Sequence, residues 1–166
     1  MSMLNILLHP DPRLKRICEP VARITPEVET LAADMLATMY DAPGVGLAAP
    51  QIGIMLRLAV VDASDKRGQA IRMANPEVLH ASTQMRAHDE ASPNLPGVFA
   101  RIERPRAVTV RFLNDRAEIE DRDFVGLWAT SVQHQIDHLD GKLYVDHLTP
   151  LRRKMLVAKS AKLARR

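Results

Sequence analysis

The chain has 166 residues, 46% of them apolar and 26% charged, with a formal net charge of +3. That length and balance fit one globular domain with room for a proper hydrophobic core and favour neither disorder nor a membrane span. No apolar run reaches the roughly 18 residues a spanning helix needs, and the single cysteine, Cys18, excludes an internal disulfide framework or a multi-cysteine zinc finger.

The N-terminal stretch Met3-Leu4-Asn5-Ile6-Leu7-Leu8 stops at His9-Pro10, with no basic leader or small-residue cleavage site. It reads as a strand or edge segment rather than a signal peptide, and the expected location is the cytoplasm. Cys18 lies outside every motif and reads as a small buried residue. Residues 26–40 predict a helix: Thr25 is a suitable N-cap, Pro26 suits the first helical position, and Glu27 and Glu29 complement the dipole. Val28, Leu31, Ala32, Met35, Leu36 and Met39 fall on one apolar face, and Asp41-Ala42-Pro43-Gly44 ends the element.

Leu58–Asp62 and Ala107–Leu113 predict strands. Asn114-Asp115-Arg116 predicts a turn, with Ala117–Asp121 returning as the hairpin partner. Phe124–Leu139 has helical spacing and stops before Gly141. Thr149-Pro150 opens a last helix. Residues 150–166 hold seven basic side chains and no acid, leaving 16 basic against 20 acidic residues on the rest of the chain. The tail is therefore a distinct basic feature on a mildly acidic body. Strands in the middle with helices at both ends give a single α+β domain over residues 1–166.

Three segments could carry chemistry. In His134-Gln135-Ile136-Asp137-His138 the two histidines are at i and i+4 on one helical face, so both imidazoles can reach one metal ion. Taken alone, the pair reads equally as two polar residues on a partly exposed helix. Gly44-Val45-Gly46-Leu47-Ala48-Ala49-Pro50-Gln51 permits close backbone approach, or simply connects packed elements. Asp89-Glu90-Ala91-Ser92-Pro93-Asn94-Leu95-Pro96-Gly97 reads alone as a proline-rich loop entering a strand.

Together, in this order and spacing, the segments resemble the peptide deformylase family, metal hydrolases that remove the formyl group from the N-terminal methionine of new proteins. The resemblance runs from His9-Pro10-Asp11-Pro12-Arg13-Leu14 through the match to G-x-G-L-A-A-x-Q and past Arg104-Pro105 to Gln133–Gly141. It implies antiparallel sheets around a central helix that carries both histidines. It further implies His134 and His138 as metal ligands for zinc or iron, Gln51 as an oxyanion donor, and a methionine pocket near Val45, Gly46 and His134. The partners implied are formyl-methionyl nascent peptides, with ribosome or rRNA contact through the basic C-terminal helix of residues 150–166 and no membrane.

Three departures fall inside that machinery. Family members carry E-G-C-L-S, whose cysteine is the third ligand, where this chain has Glu90-Ala91-Ser92-Pro93-Asn94. A neutral hydroxyl is a far poorer ligand than a thiolate, so any zinc or iron is expected to be weakly bound or absent. The base of H-E-x-x-H is replaced by Gln135, which has no titrating proton near neutral pH. Such a base contributes roughly 10²–10⁴ in rate. Pro93 lacks the backbone N–H that the residue after the cysteine gives to the oxyanion. Glu90 is expected to pair with Arg104. His88, two residues earlier on the same strand face, is an alternative third donor. The expectation is a deformylase-like protein without efficient activity. The alternatives are a working amide hydrolase with a reorganised site, and an interaction module acting through the basic helix.

Overall fold

The computed structural model describes residues 2–165. Helix α1 spans Pro26–Asp41, and Thr25 caps it by accepting the Val28 N–H at 3.2 Å. Strands β1 (Gly46–Ala48), β2 (Leu58–Val61), β3 (Ile71–Ala81), β6 (Ala107–Leu113) and β7 (Ile119–Val125) form one antiparallel sheet in the order β1-β2-β3-β6-β7. Strands β4 (Met85–Glu90) and β5 (Ala100–Pro105) form a separate antiparallel pair. Helix α2 (Gly126–Leu139) lies between the two sheets, and α3 (Pro150–Ala164) follows a short 3-10 turn at Tyr144–His147. This is the expected α+β arrangement of antiparallel sheets around a central helix.

Three apolar clusters hold the layers together. Ala32, Met35 and Met39 of α1 pack on Leu47, Leu58 and Val60. Ala129, Val132 and Ile136 of α2 pack on Val61, Met73, Val110 and Phe112. Leu14, Leu95, Ile102, Leu143 and Tyr144 join the N-terminal segment to β5 and the base of α3. Each buried Leu, Met or Phe contributes roughly 1.5–3 kcal/mol by leaving water, so α2 is clamped on two sides. A helix held this way can fix side chains facing the gap between the sheets.

Two boundaries differ from the sequence reading. Residues Met3–Leu8 join no ladder; the segment is instead held by single bonds, Leu7 N–H to Gln51 O at 2.8 Å and His9 N–H to Asn94 O at 2.9 Å. Phe124 belongs to β7, paired with Val108, and α2 begins at Gly126, whose φ of 61° makes the strand-to-helix turn. Strand β3 was not anticipated, because Pro76 interrupts its pattern, whereas β4 and β5 match the strand face expected at His88 and Glu90 and the strand that the Asp89–Gly97 loop was expected to enter. Asn75 in β3, at φ 52°, further breaks the regular pattern beside a register shift. Cys18 is buried against Ala48, Ala59 and Leu139, apart from the histidines.

Candidate active site

Helix α2 turns His134, Gln135 and His138 toward the loop between β4 and β5, and all three are buried. His134 Nε2 and His138 Nε2 stand 3.2 Å apart. His134 is fixed by Glu90 Oε1, 2.7 Å from Nδ1. Burial lowers the pKa of His138 well below the ordinary imidazole value, with the neighbouring His134 charge adding to it. Its Nδ1 has no partner among the described residues. The Tyr144 ring stacks on His134 at 6.0 Å between centroids, closing the far side of the pair.

Glu90 and Arg104 form the expected ion pair, bidentate at 2.6 and 2.9 Å and almost wholly buried. Burial works to raise the Glu90 pKa, but hydrogen bonds from His134 and Arg104 overcome it and hold the carboxyl at about 2. Arg104 also reaches Asp137 at 2.9 Å, and Asp137 in turn meets His147 at 2.8 Å. A continuous ionic chain thus runs from the surface to the paired imidazoles. Asp137, His147 and Tyr144 were not singled out from the sequence, because their roles depend on contacts across the fold.

Ser92 and Gln51 come together opposite the histidine helix, with Asn94 as their link. Gln51 Oε1 accepts the Ala48 N–H at 2.8 Å, which fixes its amide orientation. Gln51 Nε2 then donates to Asn94 Oδ1 at 2.7 Å and to Ser92 Oγ at 3.3 Å. The Ser92 hydroxyl donates to Asn94 Oδ1 at 2.8 Å, and Asn94 Nδ2 donates to Leu7 O at 2.6 Å. Both Gln51 Nε2 hydrogens and the Ser92 hydroxyl hydrogen have acceptors within the cluster, and Asn94 Nδ2 places one of its two hydrogens on Leu7 O.

The donor set offers two imidazoles and lacks the thiolate that the family resemblance calls for. Two imidazole nitrogens 3.2 Å apart could flank one ion at the usual distance of about 2.0–2.1 Å. The third position, however, holds a neutral hydroxyl whose proton is committed to Asn94. His88 does not replace it. Among the described residues no three His, Cys, Asp or Glu side chains stand close enough to hold a metal ion together.

A cleft of about 230 Å3 opens beside these residues, bordered by Val45, Gly46, Gln51, His88, His134 and Gln135. Val45 and Gly46, which the resemblance assigns to a substrate pocket, both line this cleft. Gly46 also sits so close to the Gln135 amide and Ser131 Oγ that a Cβ there would force those side chains to move.

A helix presenting paired histidines between antiparallel sheets, beside a cleft lined by a glycine loop, defines the architecture of the deformylase-type hydrolases. The family profile for polypeptide deformylase matches residues 3–154. A peptide deformylase of Rhodopseudomonas palustris (strain BisB5) is 44% identical over 170 residues, covering 100% of this chain and 97% of that protein. Peptide deformylase 1 of Ralstonia nicotianae is 41% identical over 162 residues, covering 98% and 96%. The crystal structure of a peptide deformylase from Legionella pneumophila superposes with a TM-score of 0.93 at 40% identity, covering 99% of this chain and 96% of that one. The chain belongs to the polypeptide deformylase family.

Proposed function

We propose that this member keeps the deformylase fold and a peptide-accepting cleft but has lost efficient removal of the formyl group. The observation that carries this reading is the closed Ser92–Asn94–Gln51 cluster, in which the ligand position and the oxyanion donor satisfy each other. Gln135 can orient a substrate by hydrogen bonding but cannot take up and release a proton near neutral pH. Pro93 offers no N–H to a developing oxyanion, a donor worth on the order of 10²–10³ in rate where it exists. These losses act on one catalytic unit and do not simply add. Zinc or iron bound at His134 and His138 is weak or absent on this reading.

Purified protein assayed for metal content and for formate release from formyl-Met-Ala-Ser tests it. The expected result is substoichiometric metal and turnover at least about 10³-fold below ordinary family enzymes. Tightly held stoichiometric metal with ordinary turnover would reject it.

The 3.2 Å spacing of the histidine nitrogens favours a second reading, an amide hydrolase with a reorganised site. That reading needs a replacement base, and Glu90 is already committed to Arg104 and His134. The basic face of α3 supports ribosomal RNA as a partner, and among the described residues no helix is long and apolar enough to cross a membrane. A cytoplasmic role on formyl-methionyl nascent peptides follows from the family and remains part of this proposal.

A further inference from the structure

Pro43, Gly44, Val45 and Gly46 form one bank of the cleft. This bank lies between the end of α1 and the three-residue strand β1, which stands at the edge of its sheet. Its backbone is held from three elements. Gly44 N–H donates to Met39 O of α1 at 2.8 Å, and Val45 O accepts from the Asp62 N–H at 2.9 Å and from Ser131 Oγ of α2 at 3.0 Å. Gly44 O accepts from Arg67 Nη2 at 2.5 Å, a contact made across 23 positions from the loop between β2 and β3.

Arg67 is prepared for that contact. Its guanidinium lies 4.8 Å over the Tyr40 ring and gives Nη1 to Asp62 O at 2.8 Å. The wholly buried Asp62 carboxylate ties down the rest of the loop, accepting from Tyr40 OH, from the Ser64 hydroxyl and N–H, and from the Gln69 N–H. A planar guanidinium can bridge two carbonyls in fixed geometry, which a compact ammonium does less well. The Arg67 backbone is left-handed at φ 59°, a conformation that residues with a Cβ adopt rarely and at a cost. Such strain persists where the surroundings over-determine it. Here the contact it secures is to the wall of the cleft.

We propose that Arg67 is a positioning residue that pre-forms the Pro43–Gly46 bank for an incoming peptide. This rests on the reading that the cleft admits N-terminal peptides. It does not depend on whether the peptide is cleaved. With the bank already ordered, the peptide does not bear the cost of ordering it on binding.

Calorimetric titration of the full chain with formyl-Met-Ala-Ser, alongside thermal unfolding, tests it. Arg67→Gly removes the side chain and relieves the left-handed backbone, so its thermal midpoint is expected within about 3 °C of the unmodified chain. Its peptide affinity is expected to fall at least about fivefold, because the peptide must then order the bank itself. Tyr40→Phe removes the hydroxyl bond to Asp62 and leaves the ring under Arg67. It is expected to show the reverse, a midpoint lower by about 2–4 °C with affinity changed less than about twofold. Unchanged affinity in Arg67→Gly, an equal loss of affinity in Tyr40→Phe, or a loss in Arg67→Gly that comes with a midpoint lowered by more than about 3 °C would overturn the proposal. No binding of the peptide by the unmodified chain would overturn it together with the peptide-accepting cleft. Formate release measured in parallel separates the two readings. Brisk turnover with the Arg67→Gly effect intact would reject the loss of catalysis and leave the role of Arg67 standing.

Discussion

Gln51 Nε2 lies 2.7 Å from Asn94 Oδ1, and that contact engages the amide that the resemblance assigns to an oxyanion. Asn94 makes the contact durable, because its own amide nitrogen is held by Leu7 O and its backbone oxygen by the His9 N–H. The N-terminal segment and the altered loop are thus stitched together through one side chain.

On the proposed reading, three changes should restore measurable catalysis and a fourth should raise it. Ser92→Cys, Pro93→Leu and Gln135→Glu together are expected to recover bound metal and measurable formate release. Adding Asn94→Ser should free the Gln51 amide and raise the rate a further 10-fold or more, at the low end of what one oxyanion donor is worth, roughly 10²–10³. Gln135→Glu alone should recover little, since the ligand would still be missing. Metal analysis with single-turnover formate assays checks the series. Full activity from the single change would contradict the primacy of the ligand position.

The Arg104 guanidinium is 4% exposed and serves both Glu90 and Asp137. Arg104→Met should cost about 3–5 kcal/mol, because it leaves two carboxylates facing each other without their cation. Glu90→Gln keeps an acceptor for His134 and should cost less. Urea unfolding at neutral pH measures both, and similar midpoints for Arg104→Met and the unmodified chain would remove the ionic chain from the account of stability.

Legibility in the sequence followed the range of the interactions. Thr25 and Pro26 act within one turn of α1, so the helix start was readable. The i, i+4 spacing fixed His134 and His138 on one face of α2, and Glu90 met Arg104 as anticipated. The start of α2 was misplaced because Phe124 satisfies both a helical pattern and its β7 pairing with Val108. The sequence showed Ser92 in place of cysteine but not that Asn94 closes it to Gln51, a contact across 43 positions. Nor could it show that Tyr144 stacks on His134, which needs the turn before α3 to fold back over α2.

Asp62 gives a pH signature remote from the histidines. Its carboxylate accepts from Tyr40 OH at 2.5 Å, from the Ser64 hydroxyl at 2.5 Å and from the Ser64 and Gln69 N–H groups. Burial raises its pKa, but the Ser64 and Tyr40 bonds outweigh this and bring it from 3.8 to about 2. A depressed folded pKa adds stability that is present above 3.8 and lost as pH falls toward 2. Urea midpoints between pH 5 and 2.5 should fall less steeply in Asp62→Asn than in the unmodified chain. Parallel slopes would show that Asp62 does not titrate in this window. The residue matters to the cleft because Arg67, bound to the Asp62 carbonyl at 2.8 Å, also holds the rim at Gly44 O.

The basic helix calls for charge substitution rather than deletion. Leu156 and Val157 of α3 join the cluster around Leu95 and Tyr144, and Ser160 Oγ donates to Pro96 O at 2.9 Å. Removing residues 150–166 would therefore loosen the loop that contains Ser92 and Asn94. Arg152, Lys154, Lys159 and Lys162 are exposed, whereas Arg153 approaches Asp146 at 3.4 Å. Changing the four exposed cations to alanine should leave the thermal midpoint nearly unchanged and weaken RNA binding at least about tenfold at low salt. Each lost phosphate contact should also lower the magnitude of the salt slope by about 0.7–0.9, because fewer counterions are released. Co-sedimentation with ribosomes across a salt series reads both quantities. An unaltered slope would mean that these side chains do not meet phosphate, and the partner of α3 would have to be sought on its apolar residues Leu151 and Met155, which remain exposed in the folded chain.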